Sequence, residues 1–201
     1  MAKAAVLQLK PELAMEYLHG IKSDIEALRG NPVWIEYEIT VADALAARRD
    51  EAAGYHYEQA LVALDRLPER KPKLEMIAHE HFGNHLRLGH IVSRARREFE
   101  TAAQIATAEH WREDNAGIRM KLILIDLEAD GDPRLTDLQV LKKVAARKGS
   151  TKQDQWAAWI QHIGNDERAR SGMRYARRPG APPEAYFDRL LDSVKALPDE
   201  D

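Results

Sequence analysis

Cysteine is absent from this chain. Its absence excludes disulfides, thiolate metal sites, iron–sulfur clusters and a cysteine nucleophile, and it suits a reducing compartment. Long apolar runs are also missing. The longest, such as Leu122 to Leu127, holds a charge and falls far short of the roughly 20 residues that a membrane span needs. At the N-terminus a short apolar patch between Met1 and Leu9 is followed at once by Lys10, Pro11 and Glu12, so its core is shorter than a secretory signal requires. The expectation is a soluble, cytoplasmic protein with no membrane partner. Catalytic signatures are equally scarce. There is no glycine loop ending in lysine for phosphate, no glycine-flanked serine elbow and no dinucleotide fingerprint, and no cofactor is implied.

Runs of Val, Ile and Thr are few, and no stretch alternates apolar with polar long enough to make a strand. What remains is helix-forming: alanine, leucine, glutamate, arginine and lysine dominate, which makes the fold class all-α. With 201 residues, 44% hydrophobic, the chain can bury one good core and is too short for two large domains, so a single domain over residues 1–178 is expected.

Periodicity and breakers divide the chain into about nine helices. The first begins at Pro11, carries Leu13, Tyr17, Ile21, Ile25 and Leu28 inward, and ends near Gly30. Asn31 and Pro32 cap and start the second, with Trp34, Tyr37, Val41, Ala44 and Leu45 inward, and a break follows at Arg49 to Ala52. The third holds Tyr57, Ala60, Leu61, Leu64 and Leu67 and must stop before Pro68. The fourth and fifth run from Leu74 to about Ile91 and from about Ser93 to Ala108. The sixth runs from about Arg112 to Ala129 with Ile118, Leu122, Ile125 and Leu127 inward. Pro133 begins a seventh that closes at Gly149, and Ser150 or Thr151 caps an eighth holding Trp156, Trp159, Ile160 and Ile163. A stiff linker, Pro179 to Pro183, precedes a last helix over residues 184–201.

Within this series one pattern occurs twice. Ala53, Tyr57, Ala60 and Leu61 superpose on Ala95, Phe99, Ala102 and Ala103 with the same internal spacing, 42 residues apart. Small residues at a helix crossing let two backbones approach, and one aromatic fills the gap they leave. The helix before the second copy adds Phe82, Gly83 and Leu86, where the first copy has Thr40, Val41 and Ala44. This pattern resembles the tetratricopeptide repeat, whose period is about 34 residues; the extra length falls at the proline-rich turn between Leu67 and Leu74. The best repeats are residues 34–67 and 76–109. Beyond Glu109 the pattern is lost, because Pro133 stands where the second-helix aromatic belongs. A generic helical bundle, or a two-helix repeat of longer period, would show the same small-and-aromatic spacing.

The resemblance implies antiparallel helix pairs stacked as a right-handed superhelix, with a concave face that receives a peptide or a partner's helix. Positions matching that face are Ile77, Glu80, Asn84, Arg87 and Leu88 in the better copy, and Ile35, Glu38, Ala42, Leu45 and Ala46 in the other. Repeats of this kind that grip a C-terminal carboxylate carry lysine where Glu38 or Glu80 stands, so a mixed groove for an amphipathic or basic segment is the expectation.

Histidines crowd one helix: His79, His81, His85 and His90. His81 and His85 lie four apart, a ligand spacing for zinc, and Glu75 with His79 makes a second such pair on another face. The zincin pattern is not met, because Phe82 follows His81, and structural or surface histidine is the expectation, with no metal site. Carboxylates such as Glu36 with Glu38, or Asp126 with Glu128, stand two apart and so point to different faces, as solvated helix surfaces do.

Charge is unevenly spread. Residues 1–139 carry 18 basic and 24 acidic side chains, residues 140–178 carry 10 and 3, and residues 179–201 carry 2 and 6. In the basic segment Arg168, Arg170, Arg174, Arg177 and Arg178 surround Tyr175, cations and a stacking ring that can track a phosphate backbone. The same strip can instead neutralise the acidic last helix, within the chain or across a homo-oligomer. The sequence therefore predicts a non-catalytic helical-repeat scaffold or adaptor for a protein or peptide partner. The alternative is a helical protein that associates with RNA or DNA through Arg168 to Arg178. An enzyme whose groups converge from distant helices would need a deep pocket and a perturbed ionisable group.

Overall fold

The computed structural model describes residues 2–7 and 10–128, and among them every regular element is a helix. These are α1 (Ala2–Leu7), α2 (Pro11–Glu26), α3 (Pro32–Arg48), α4 (Ala53–Leu64), α5 (Pro72–Leu88), α6 (Val92–Ala108) and α7 (Arg112–Glu128). α1 precedes the first helix that periodicity marks. α2 to α7 correspond to the first six expected helices, and the remaining expected helices and the Pro179–Pro183 linker lie outside the described residues. None of the described helices is long and apolar enough to cross a membrane. By their internal contacts the residues group into two compact units, Met1–Ile105 and Ala106–Asp201.

Local chemistry sets the helix ends. Asn31 caps α3 by accepting a 3.0 Å hydrogen bond from Val33 N–H, and Pro32 takes the first helical position, where no N–H is needed. α3 stops when Arg49 enters the left-handed region (φ 62°, ψ 31°) and Asp50 N–H donates back to the Leu45 carbonyl at 3.0 Å. Asp50 then accepts from Ala52 N–H at 3.0 Å, opening α4. The same reversal closes α5, with His90 at φ 61° and Ile91 N–H donating to the Leu86 carbonyl at 2.9 Å. It closes α6 as well, with His110 at φ 60° and Trp111 N–H donating to Ala106 at 2.8 Å.

In the first unit α3 is the central helix. α1, α2, α4 and α5 all pack on it. Trp34, Ile35 and every residue from Glu38 to Leu45 are buried, as befits a helix surrounded on nearly all sides. The small-and-aromatic set is buried too: Ala53, Tyr57, Ala60, Ala95, Phe99, Ala102 and Ala103 are all 0% exposed, while Leu61 is half-buried. The rings of Tyr57 and Phe82 stack with centroids 5.4 Å apart at 26°. Gly83 makes room for Phe99, since a Cβ there would lie 2.8 Å from that ring.

The inner face expected for α2 is displaced by one residue. Ala14 and Leu18 are buried and Leu13 and Tyr17 half-buried, whereas Ile21 and Leu28 stand exposed at 44% and 42%. In the second unit α7 buries Ile118, Leu122 and Ile125, as periodicity predicts, together with Ala116, Ile123, Lys121 and Asp126.

Candidate functional site

The face expected to receive a partner runs along α5. Ile77, Glu80, Asn84 and Leu88 recur at helical spacing and are half-buried. Arg87 departs from the expectation: it is 3% exposed, so its guanidinium belongs to the interior and not to an open groove. Asn84 Oδ1 is buried without a hydrogen-bond partner. The matching positions on α3 depart further. Ile35 and Ala42 are 0% exposed and Glu38 and Leu45 7%, because α3 is enclosed by four helices. Only Ala46 of that set reaches the half-buried range.

What the first unit does assemble is a lattice of carboxylate–imidazole clasps. His56 on α4 donates from Nδ1 to Glu38 on α3 at 2.6 Å. Asp43 on α3 accepts from Tyr57 Oη on α4 at 2.6 Å and from His81 Nδ1 on α5, at 3.0 and 2.9 Å to its two oxygens. His79 on α5 donates to Glu98 on α6 at 2.7 Å. Arg94 on α6 extends the set, donating to Glu58 on α4 at 2.7 Å, with its guanidinium carbon 4.8 Å from the Phe82 ring centre. The carboxylates of Glu38, Asp43 and Glu98 are well covered and need such donors, since a buried acceptor left bare costs about 1–3 kcal/mol, whereas Glu58 stands exposed.

The histidine spacing therefore serves packing. His81 turns to Asp43, while the His85 ring lies 5.7 Å from that of Tyr57 and 6.4 Å from that of Phe82. His79 goes to Glu98 and Glu75 goes to Arg70 at 2.9 Å, so the second pair four apart is turned to separate partners. Among the described residues no group of three His, Asp or Glu side chains converges as a metal site requires.

Burial holds the Tyr37 phenol above its ordinary value, and the carboxylates of Glu38 and Glu26 push in the same direction. An open depression of about 560 Å³ lies between the α2–α3 and α4–α5 turns, lined by Leu28, Arg29, Pro32, Leu67, Pro68 and Lys71 among others. Arg29 sits 5.7 Å from the Trp34 ring centre, and Lys71 pairs with Glu69.

Sequence reading marked His79, His81, Tyr57 and Glu38 for other roles and left Asp43, His56, Glu58, Arg94 and Glu98 unmarked. One signal was available: His56 and Glu98 stand 42 residues apart, the same separation as Tyr57 and Phe99. The basic candidates Arg168, Arg170, Arg174, Tyr175, Arg177 and Arg178 lie outside the described residues. No family model, curated protein or solved structure matches this chain.

Proposed function

We propose that this chain is a helical-repeat scaffold of tetratricopeptide type, an adaptor that holds a protein or peptide partner and performs no catalysis. The observation that carries the reading is a correspondence between the pairs α3–α4 and α5–α6. At a separation of 42 residues Tyr57 corresponds to Phe99, each fully buried, and His56 corresponds to Glu98. His56 clasps Glu38 on the helix before it, and Glu98 clasps His79 on the helix before it, so the acid and base exchange places while the tie between paired helices is kept. The partners Glu38 and His79 stand 41 residues apart, so the second tie reaches a position one residue away from the exact match, Glu80, on its first helix. A helix pair duplicated and tied across in this way is what a stacked repeat needs. The partner face on this reading is the half-buried strip of Ile77, Glu80, Asn84 and Leu88 on α5, read by helix-in-groove or extended-peptide contacts.

Capture from cell extract by the whole protein, with and without nuclease, tests it. A defined protein retained after nuclease and lost on Glu80→Lys with Leu88→Ala, in a variant that melts like the wild type, is the expected result. Charge segregation favours one second reading, nucleic-acid association through Arg168 to Arg178, since residues 140–178 carry 10 basic and 3 acidic side chains. If the bound material leaves with nuclease, or with Arg174, Arg177 and Arg178 changed to alanine, that reading replaces the adaptor.

A further inference from the structure

α2 carries one apolar stripe from end to end, and only half of it is covered. Ala14, Leu18, Ile21, Ile25 and Leu28 recur at alternating steps of four and three, the a/d spacing of a helix that packs along another helix. Leu28 sits in the turn that continues α2, where Leu28 N–H donates to the Ile25 carbonyl at 2.9 Å. α1 and α3 pack on α2, and Ala14 and Leu18 are 0% and 2% exposed. The stripe does not end with its cover. Ile21 is 44% exposed and Leu28 42%, with Ile25 half-buried between them. Large aliphatic side chains in line with a buried seam mark a face shaped to be covered.

The flanks of the stripe are charged unevenly. With Leu18 and Ile25 at a and Ile21 and Leu28 at d, the e positions hold Lys22 and Arg29 and the g positions hold Tyr17 and Asp24. Lys22 meets Glu26 only at 3.9 Å, both more than half exposed, an association easily exchanged for another carboxylate. Arg29 lies over Trp34, and a guanidinium held over a ring still has its N–H fork to offer. Arg29 also lines the depression that Leu67, Pro68 and Lys71 close from the α4–α5 turn, so the basic flank continues into a concave end.

We propose that the uncovered half of α2 receives an amphipathic helix of a partner protein, with aliphatic residues at a/d spacing and aspartate or glutamate on the flank facing Lys22 and Arg29. The inference rests on the adaptor reading and adds a second docking surface, with the chemistry of its occupant. An antiparallel second copy of this chain fits worse, because in that pairing e faces e and g faces g. With Leu18 facing Leu28 and Ile21 facing Ile25, Lys22 would then meet Lys22 and Asp24 would meet Asp24.

Fluorescence anisotropy with the full chain tests this. The probe is a labelled synthetic peptide of about three heptads with leucine at a and d and glutamate at e and g, compared with its lysine-flanked counterpart. The acidic peptide is expected to bind, and Ile21→Ala with Leu28→Ala to weaken it about tenfold or more. Lys22→Glu with Arg29→Glu is expected to reverse the preference in favour of the lysine-flanked peptide. Both side-chain pairs are exposed, so unchanged thermal melting is expected and serves as the folding control. Equal binding of the two peptides, no binding of the acidic one, or insensitivity to the alanine pair overturns the inference. So does a concentration-dependent dimer in light scattering that the alanine pair abolishes, which assigns the face to a second copy. If proteins captured from extract survive nuclease and are retained equally by the alanine pair, the adaptor reading stands while this surface fails.

Discussion

Tyr57 on α4 donates its phenolic hydrogen to Asp43 on α3 across 2.6 Å, with the tyrosine fully buried and the aspartate 8% exposed. The same carboxylate accepts from His81, so one side chain of α3 ties down both α4 and α5. Hydrogen bonds to charged groups contribute about 1.5–3 kcal/mol, and Tyr57→Phe keeps the ring stacked on Phe82 while deleting only the donor. The expected loss in urea unfolding is about 1–3 kcal/mol. A double-mutant cycle of Tyr57→Phe with His81→Phe should show coupling, since both act on Asp43. Additive losses would mean that the two donors are energetically independent.

Gly83 sits beneath Phe99, and the space between them is already spent. A methyl group at Gly83 would lie 2.8 Å from two ring carbons of a side chain with no exposed surface to move into. Overpacking of this kind costs about 1–3 kcal/mol, against roughly 1 kcal/mol gained from the better helix propensity of alanine. Gly83→Ala is therefore expected to lower the melting temperature. Gly20→Ala, where a Cβ meets nothing within 4 Å, should raise it slightly.

Three helix ends hold a side chain where glycine costs least. Arg49, His90 and His110 have φ values of 62°, 61° and 60°, each at the left-handed residue of a helix-closing turn. A non-glycine residue there carries about 1–2 kcal/mol of steric cost, part of which glycine returns as unfolded-chain entropy. Arg49→Gly is expected to stabilise by up to about 1 kcal/mol. Chemical denaturation of that variant, alone and with His90→Gly, should show gains that add. A loss would mean that the Arg49 side chain makes a contact worth more than the backbone relief.

Alkaline pH should loosen the first unit through Tyr37. Burial, with Glu38 and Glu26 nearby, raises its phenol above the ordinary 10.0, so the folded chain keeps the proton longer than the unfolded chain does. The associated stability is complete below that ordinary value and is lost as pH rises through the raised one. Wild type should therefore lose stability relative to Tyr37→Phe above about pH 10, and the two should run parallel below it. Urea unfolding of both proteins across this range measures the difference, and parallel curves throughout would remove Tyr37 as the source.

The fold was legible where local chemistry decides it. Asn31 with Pro32, the turn at Arg49 to Ala52 and the stop before Pro68 place helix boundaries within a few residues, because caps, proline and left-handed turns act over a single turn of chain. Periodicity marked the core positions Trp34, Val41, Phe82, Phe99 and Ile118 for the same reason. It failed on α2, where residues 13, 17 and 21 and residues 14, 18 and 21 are both good stripes. Nothing local distinguishes them.

By itself, then, the sequence determined the all-helical character of the described residues, most of the helix boundaries among them and the small-and-aromatic positions at 53–61 and 95–103. Only tertiary structure decided which polar groups meet. Asp43 joins Tyr57 and His81 over separations of 14 and 38 residues, beyond any helical period, and Arg87 is interior despite its charge. The physical reason is that a period records which face of one helix is apolar, whereas a partner for a buried carboxylate depends on how several helices are set against each other.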